Sequence, residues 1–203
     1  NKVSEAKIFL KNSEFPLKLN KQVPTGAFIS YKLSGNLSET LQSETGRILS
    51  RWEDSPWGFL VKQGKEEGHF SDELVEEMYL MIKQRWKPKN KPQWLCAVPS
   101  QKHPDLVPDF AMRLAHKLKI PFKNVVVQVL QNEQQKQQHN RFHQCKNLDG
   151  VFEINDEIPQ TPVLLFDDLV DSGWTLTLIS ALLRQKGASH VYPIALCSAA
   201  QGV

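Results

Sequence analysis

The chain has 203 residues, 40% of them hydrophobic and 23% charged, with a formal net charge of +3. This length suits one domain of ordinary size with an appendage. No apolar run approaches the roughly 20 residues needed to span a membrane, and so mild a charge neither demands nor excludes nucleic acid. The cysteines, Cys96, Cys145 and Cys197, lie far apart without a C-x-x-C or His-rich partner set, which argues against a zinc site. A reducing, cytoplasmic setting is expected. Cys96 and Cys197 fall in apolar, strand-like runs and read as buried thiols, whereas Cys145 lies in a polar stretch. Because it begins with Asn and shows no signal-peptide pattern, the sequence reads as a piece of a longer polypeptide.

Residues 1–45 show no persistent helical or strand period and hold Pro16, Pro24, Gly26 and Gly35. They read as a linker or the tail of a preceding module, and residues 46–203 as one domain with a core over about 71–200. Gly46 to Gly68 interleaves Arg51, Trp52, Trp57, Lys62 and Lys65. Such a pattern can stack on single-stranded nucleic acid. Packing of the tryptophans onto a core is the favoured reading.

Ser71 reads as an N-cap, with Asp72 and Glu73 in the first turn of a helix that ends near Trp86. Trp94 to Val98 is a continuous apolar run, a buried strand, and it ends in the polar loop Pro99-Ser100-Gln101-Lys102-His103. Leu106, Phe110, Leu114, Ala115 and Leu118 then fit a helical period stopped by Pro121. Val125 to Leu130 and Gly150 to Ile154 are strand-like. Between them Gln131 to Asn147 is Gln-rich and polar, with Lys136, His139, Arg141 and His143, and reads as a long functional loop or a polar surface helix.

The densest signal is Pro162 to Thr177. Val163 to Phe166 is apolar, Asp167 and Asp168 follow, and the polar turn Asp171-Ser172-Gly173-Trp174-Thr175 opens a helix that Gly187 caps. Val191 to Cys197 is a last buried strand. Strands alternating with helices from Trp94 onward predict an α/β fold with a parallel sheet and helices on both faces. Ligands of such sheets bind outside the carboxyl ends of the strands, where both polar loops would open. Asp167 and Asp168 can accept hydrogen bonds from vicinal hydroxyls and hold a divalent ion bridging hydroxyl and phosphate oxygens. The Ser172–Thr175 turn offers backbone N–H groups and two hydroxyls to a phosphate, and Lys102 can meet a second phosphate group.

VLLFDDLVDSGWT resembles the phosphoribosyl-pyrophosphate motif of type I phosphoribosyltransferases. The resemblance covers roughly Ser71 to Cys197. It implies that fold, phosphoribosyl pyrophosphate with Mg²⁺ as ligand, and catalytic and metal-holding roles for Asp167 and Asp168. It further implies phosphate binding by Asp171, Ser172, Gly173, Trp174 and Thr175. Pro99, Ser100, Gln101 and Lys102 would take the pyrophosphate, and Lys136 and Arg141 would sit on a flexible covering loop. Trp174 and Asp171 depart from the family pattern, which has a small residue and a neutral hydroxyl there. The base-reading hood is not identifiable, residues 46–86 being its only candidate.

The stretches VPSQKHPDLVPDFAMRLAHKLKIPF, QKQQHNRFHQCKNLDGVF and DDLVDSGWTLT are similar to the C-terminal domain of some bacterial RecQ-type ATP-dependent DNA helicases and to ComF-like proteins, and GRILSRWEDSPWGFLVKQGK is similar to what precedes that domain in the helicases. That likeness implies a DNA recombination or repair setting, with contact to DNA through the parent helicase. No G-x-x-x-x-G-K-[ST] is present, so the motor lies elsewhere. The expected partner is a sugar phosphate or nucleotide, not a membrane, and a homodimer is compatible with the reading.

Overall fold

The structure, a computed structural model, describes residues 14–53, 56–131, 140–155 and 157–199. In chain order it forms β1 (Phe15–Leu17), a hairpin of β2 (Gln22–Phe28) and β3 (Leu33–Asn36), β4 (Gly46–Arg51), α1 (Trp57–Glu67) and α2 (Asp72–Leu80). A π-helical turn, Met81–Trp86, extends α2. Then come β5 (Trp94–Ala97), α3 (Leu106–Leu118), β6 (Val126–Gln128), α4 (Arg141–Lys146), β7 (Phe152–Ile154), β8 (Val163–Val170), α5 (Trp174–Gln185) and β9 (Val191–Ser198).

The main sheet has the order β1-β4-β9-β8-β5. Its strands β4, β9, β8 and β5 are parallel, and β1 closes one edge antiparallel to β4. The parallel strands are apolar on both faces, as a sheet covered on both sides requires. One face carries α5, the hairpin and the β6–β7 ribbon, through Val163, Leu165, Ile179, Leu183, Phe28 and Phe152. The other carries α1, α2 and α3, through Leu164, Phe166, Val61, Met78 and Phe110. Phe110 stacks on Phe166 with ring centroids 4.8 Å apart. Each such fully buried side chain contributes about 1.5–3 kcal/mol of hydrophobic stabilisation. Gly46, at the start of β4, lets that strand lie against β9, because a Cβ there would come 1.7 Å from the Pro193 carbonyl oxygen.

Three expectations change. The first concerns residues 14–45, which are not a linker: β1 pairs with β4, and Leu17, Val23, Ala27, Phe28, Leu33 and Leu37 are buried in the core. Their irregular spacing hides this because burial comes from docking onto α4, α5 and β7 rather than from a continuous amphipathic face.

The second concerns β6 and β7, which do not join the parallel sheet. They pair antiparallel with each other, Val126 opposite Ile154. The connection is long enough for a crossover, but its described helix, α4, packs on strand β2 of the hairpin. The parallel place is taken instead by β4.

The third concerns residues 46–86, which build sheet and core rather than a hood. Trp57 is 3% exposed, in agreement with packing rather than nucleic-acid stacking. No described helix is long and apolar enough to cross a membrane.

Candidate functional site

The acids lie inside β8 rather than after it. Along β8, pairing with β5 reaches Phe166, opposite Ala97, whereas pairing with β9 continues to Val170, opposite Ser198. Asp167 and Asp168 therefore begin where one neighbour has ended. This is the carboxyl edge of the sheet, and there polar side chains find room that Leu164 and Phe166 do not have. Successive strand residues face opposite sides, and the two carboxylates have different surroundings.

Asp168 is 8% exposed. Its Oδ2 accepts a hydrogen bond of 2.8 Å from the Lys65 ammonium of α1. Asp167 is half-buried, and its Oδ1 accepts from the Asp168 backbone N–H at 2.8 Å. Burial, then the neighbouring Asp168 charge, hold the Asp167 carboxyl well above the usual carboxylate range; the Asp168 N–H and Lys65 act against them. Asp167 is thus biased toward a protonated form that can donate as well as accept.

The chain leaves β8 through a bend at 171–173 and enters α5. Gly173 precedes the helix at φ +79, a left-handed conformation that glycine adopts without strain. No side chain caps α5 and no acid lies in its first turn, so the leading N–H groups keep the partial positive charge of a helix start. A cavity of about 100 Å³ opens there, bounded by Asp167, Leu169 and residues 170–176. Asp171 is exposed and keeps its charge largely in water. Trp174 is 2% exposed and forms part of the wall, with the Arg141 guanidinium of α4 5.4 Å from its ring centre.

Sequence reasoning missed two contributors. Lys65 gave no signal beyond being one base among several in Gly46–Gly68. Asn20, from the segment read as a linker, donates from its backbone N–H and its side-chain amide to Thr177 Oγ1, at 3.3 and 3.5 Å. Thr177 in turn donates through N–H and hydroxyl to the Gly173 carbonyl. The N-terminal segment thus braces the turn from outside.

The structure brings Asp167, Asp171, Ser172, Gly173, Trp174 and Thr175 to one cavity, with Arg141 against its Trp174 wall and Asp168 turned to Lys65. Pro99, Ser100, Gln101 and Lys102 leave the adjacent strand on the same edge of the sheet, tied by the Val98 N–H to the Phe166 carbonyl at 2.9 Å. They line no part of the cavity, and Gln101 and Lys102 are exposed. Lys136 and most of the Gln-rich stretch lie outside the described residues. Beyond them, Arg141–Lys146 is helical and Cys145 is fully buried, its thiol pushed up to about 12 by burial.

A magnesium ion is expected at the acids from the sequence. Among the described residues no three His, Cys, Asp or Glu side chains converge as a metal site. Of the two carboxylates, one already carries an ammonium. The residues present do not fit an ion held by the protein.

No family model matches the chain, and neither does any curated protein. Solved structures do. A purine phosphoribosyltransferase from Pyrococcus horikoshii Ot3 is 16% identical, with a TM-score of 0.41 over 63% of this chain and 81% of its own. The adenine phosphoribosyltransferase of Leishmania tarentolae is 14% identical, with a TM-score of 0.40 over 68% and 73%. That of Leishmania donovani is 14% identical, with a TM-score of 0.42 over 98% and 81%. This chain is a mixed α/β protein with a central, mostly parallel sheet flanked by helices.

Proposed function

We propose that the carboxyl edge of β8 binds a 5-phosphorylated ribosyl ligand, either a nucleotide or phosphoribosyl pyrophosphate. The observation that carries this reading is the shared cavity of Asp167 and the uncapped first turn of α5. Backbone N–H groups of the turn take the phosphate oxygens, and the Ser172 and Thr175 hydroxyls add donors. Asp167 meets a ribose hydroxyl, accepting when ionised and donating when protonated. Arg141, resting on Trp174, adds positive charge beside the turn.

The test is calorimetry of the 203-residue chain with phosphoribosyl pyrophosphate and with nucleoside 5′-monophosphates. Saturable binding that Ser172→Ala and Thr175→Ala together weaken about tenfold, the scale of one or two lost hydrogen bonds, is expected. Absence of binding to every such ligand refutes the reading.

Transfer of the ribosyl group is a separate matter. A transferase needs pyrophosphate held as it leaves, and residues 99–102 stand off the cavity with Lys102 in solvent. That observation favours a module that binds and does not turn over. Incubation with phosphoribosyl pyrophosphate and each common base, followed by assay for nucleotide, decides it, and no product is expected. The setting within a DNA-processing polypeptide of the RecQ type rests on the sequence likeness of stretches within residues 98–177.

A further inference from the structure

Two adjacent carboxylates beside a phosphate site pose an electrostatic problem, even where only Asp167 lines the cavity: two negative groups lie close to a third. Here one of the two is already answered. Lys65 Nζ lies 2.8 Å from Asp168 Oδ2, with side chains 26% and 12% exposed. The lysine comes from α1, packed beside the sheet through Trp57 and Val61, so its backbone is held by the core. Gly64, the residue before it, faces Phe70, where a Cβ would come 2.6 Å from the ring, so this turn of α1 sits close to the chain that follows. The ammonium is therefore a fixture of the fold rather than one solvated lysine among many.

Resting on the ligand reading above, we infer that Lys65 is the cation of this acid pair: it takes the place a divalent ion would need at Asp168, and the pocket binds a sugar monophosphate without a metal. Three observations converge on this. The Asp168 carboxylate has an ammonium at hydrogen-bond distance. No other described His, Cys, Asp or Glu group joins the acids to complete a metal site. The cavity at the turn is small and excludes Lys102 and its neighbours, so it matches one phosphate on a sugar better than a sugar carrying a pyrophosphate and its metal. Lys65 is a positioning residue. It cancels the Asp168 charge, and the phosphate then faces only Asp167 and the exposed Asp171.

The experiment compares ribose 5-phosphate binding by calorimetry in EDTA and in millimolar magnesium. The chains are wild type, Lys65→Arg and Lys65→Met. Wild type is expected to bind equally in both buffers, and Lys65→Arg to follow it. Lys65→Met is expected to lose about tenfold in EDTA, the scale of one lost charge-assisted contact, and to recover in magnesium as the freed Asp168 accepts the ion. A structural role alone would not create a magnesium requirement. Wild-type binding only in magnesium overturns the inference and leaves the ligand reading standing, and so does Lys65→Met binding as well as wild type in EDTA. Absence of ribose 5-phosphate binding by wild type in both buffers overturns the inference, and the ligand reading falls with it only where the nucleotides and phosphoribosyl pyrophosphate also fail to bind. Should Lys65→Met not fold, the wild-type comparison between buffers and the arginine variant still decide.

Discussion

Asp167 and Asp168 are neighbours in the chain, yet they contribute to stability with opposite sign. Asp168 finds an ammonium; Asp167 is enclosed with a like charge beside it. A carboxyl held above its ordinary range means that the folded protein keeps a proton the unfolded chain gives up. Below the unfolded carboxylate value both states are protonated and nothing is lost. As pH rises from there to the folded value, the folded state binds more protons and stability falls, reaching its full deficit above that window. Asp167→Asn removes the titration while its amide oxygen still accepts the Asp168 N–H. Thermal melts across pH should show the variant equal to wild type in acid and increasingly more stable toward neutrality. Each kcal/mol reads as about 2–4 °C for a chain of this size. A difference that stays constant with pH would refute the environment described for Asp167.

One side chain ties the tip of the N-terminal hairpin to β7. The Tyr31 hydroxyl donates to the Phe152 carbonyl at 2.7 Å and accepts from its N–H at 2.8 Å, joining the hairpin to β7. Tyr31→Phe leaves both groups of Phe152, a residue 3% exposed, without that partner. A buried polar group left unsatisfied costs about 1–3 kcal/mol, so the melting temperature should fall by about 2–4 °C per kcal/mol. Hydrogen exchange at the Phe152 amide should rise ahead of the main sheet, and an unchanged rate there would show that the hairpin is fastened elsewhere.

The elements from Trp94 onward were legible in sequence because their apolar runs are continuous or strongly periodic: β5, α3, β8, α5 and β9 fall where Trp94–Val98, Leu106–Leu118 and Val163–Cys197 point. The hairpin was not, since Pro24 and Gly26 interrupt the alternation of β2 and only docking buries Val23, Ala27 and Phe28. Of the site, the acids and turn are local and readable. The Lys65–Asp168 pair joins residues 103 apart, and a contact at such separation leaves no local pattern.

At the scale of the whole molecule, the two faces of the sheet differ in what covers them. The face carrying α1, α2 and α3 is closed by helices from the middle of the chain. The other is covered by α5 and the β6–β7 ribbon together with residues before 46. Leu17, Val23, Ala27, Phe28, Leu33 and Leu37 bury themselves against the same cluster as Val163, Leu165 and Ile179. Residues 46–203 alone would therefore keep every parallel strand and still lose the hairpin's part of the cover on one face, the antiparallel partner of β4 and the Asn20 brace on Thr177. Exposed apolar surface and an open strand edge invite association. The truncated chain should bind a hydrophobic dye, lose its near-ultraviolet dichroism while keeping much of its helical signal, and self-associate. It should also bind ribose 5-phosphate at least about tenfold more weakly, because the turn it presents is no longer held. A truncated chain that melts cooperatively at the wild-type temperature would restore the linker reading of residues 1–45, and it would place the stabilising contacts of β8 and α5 wholly within the parallel sheet.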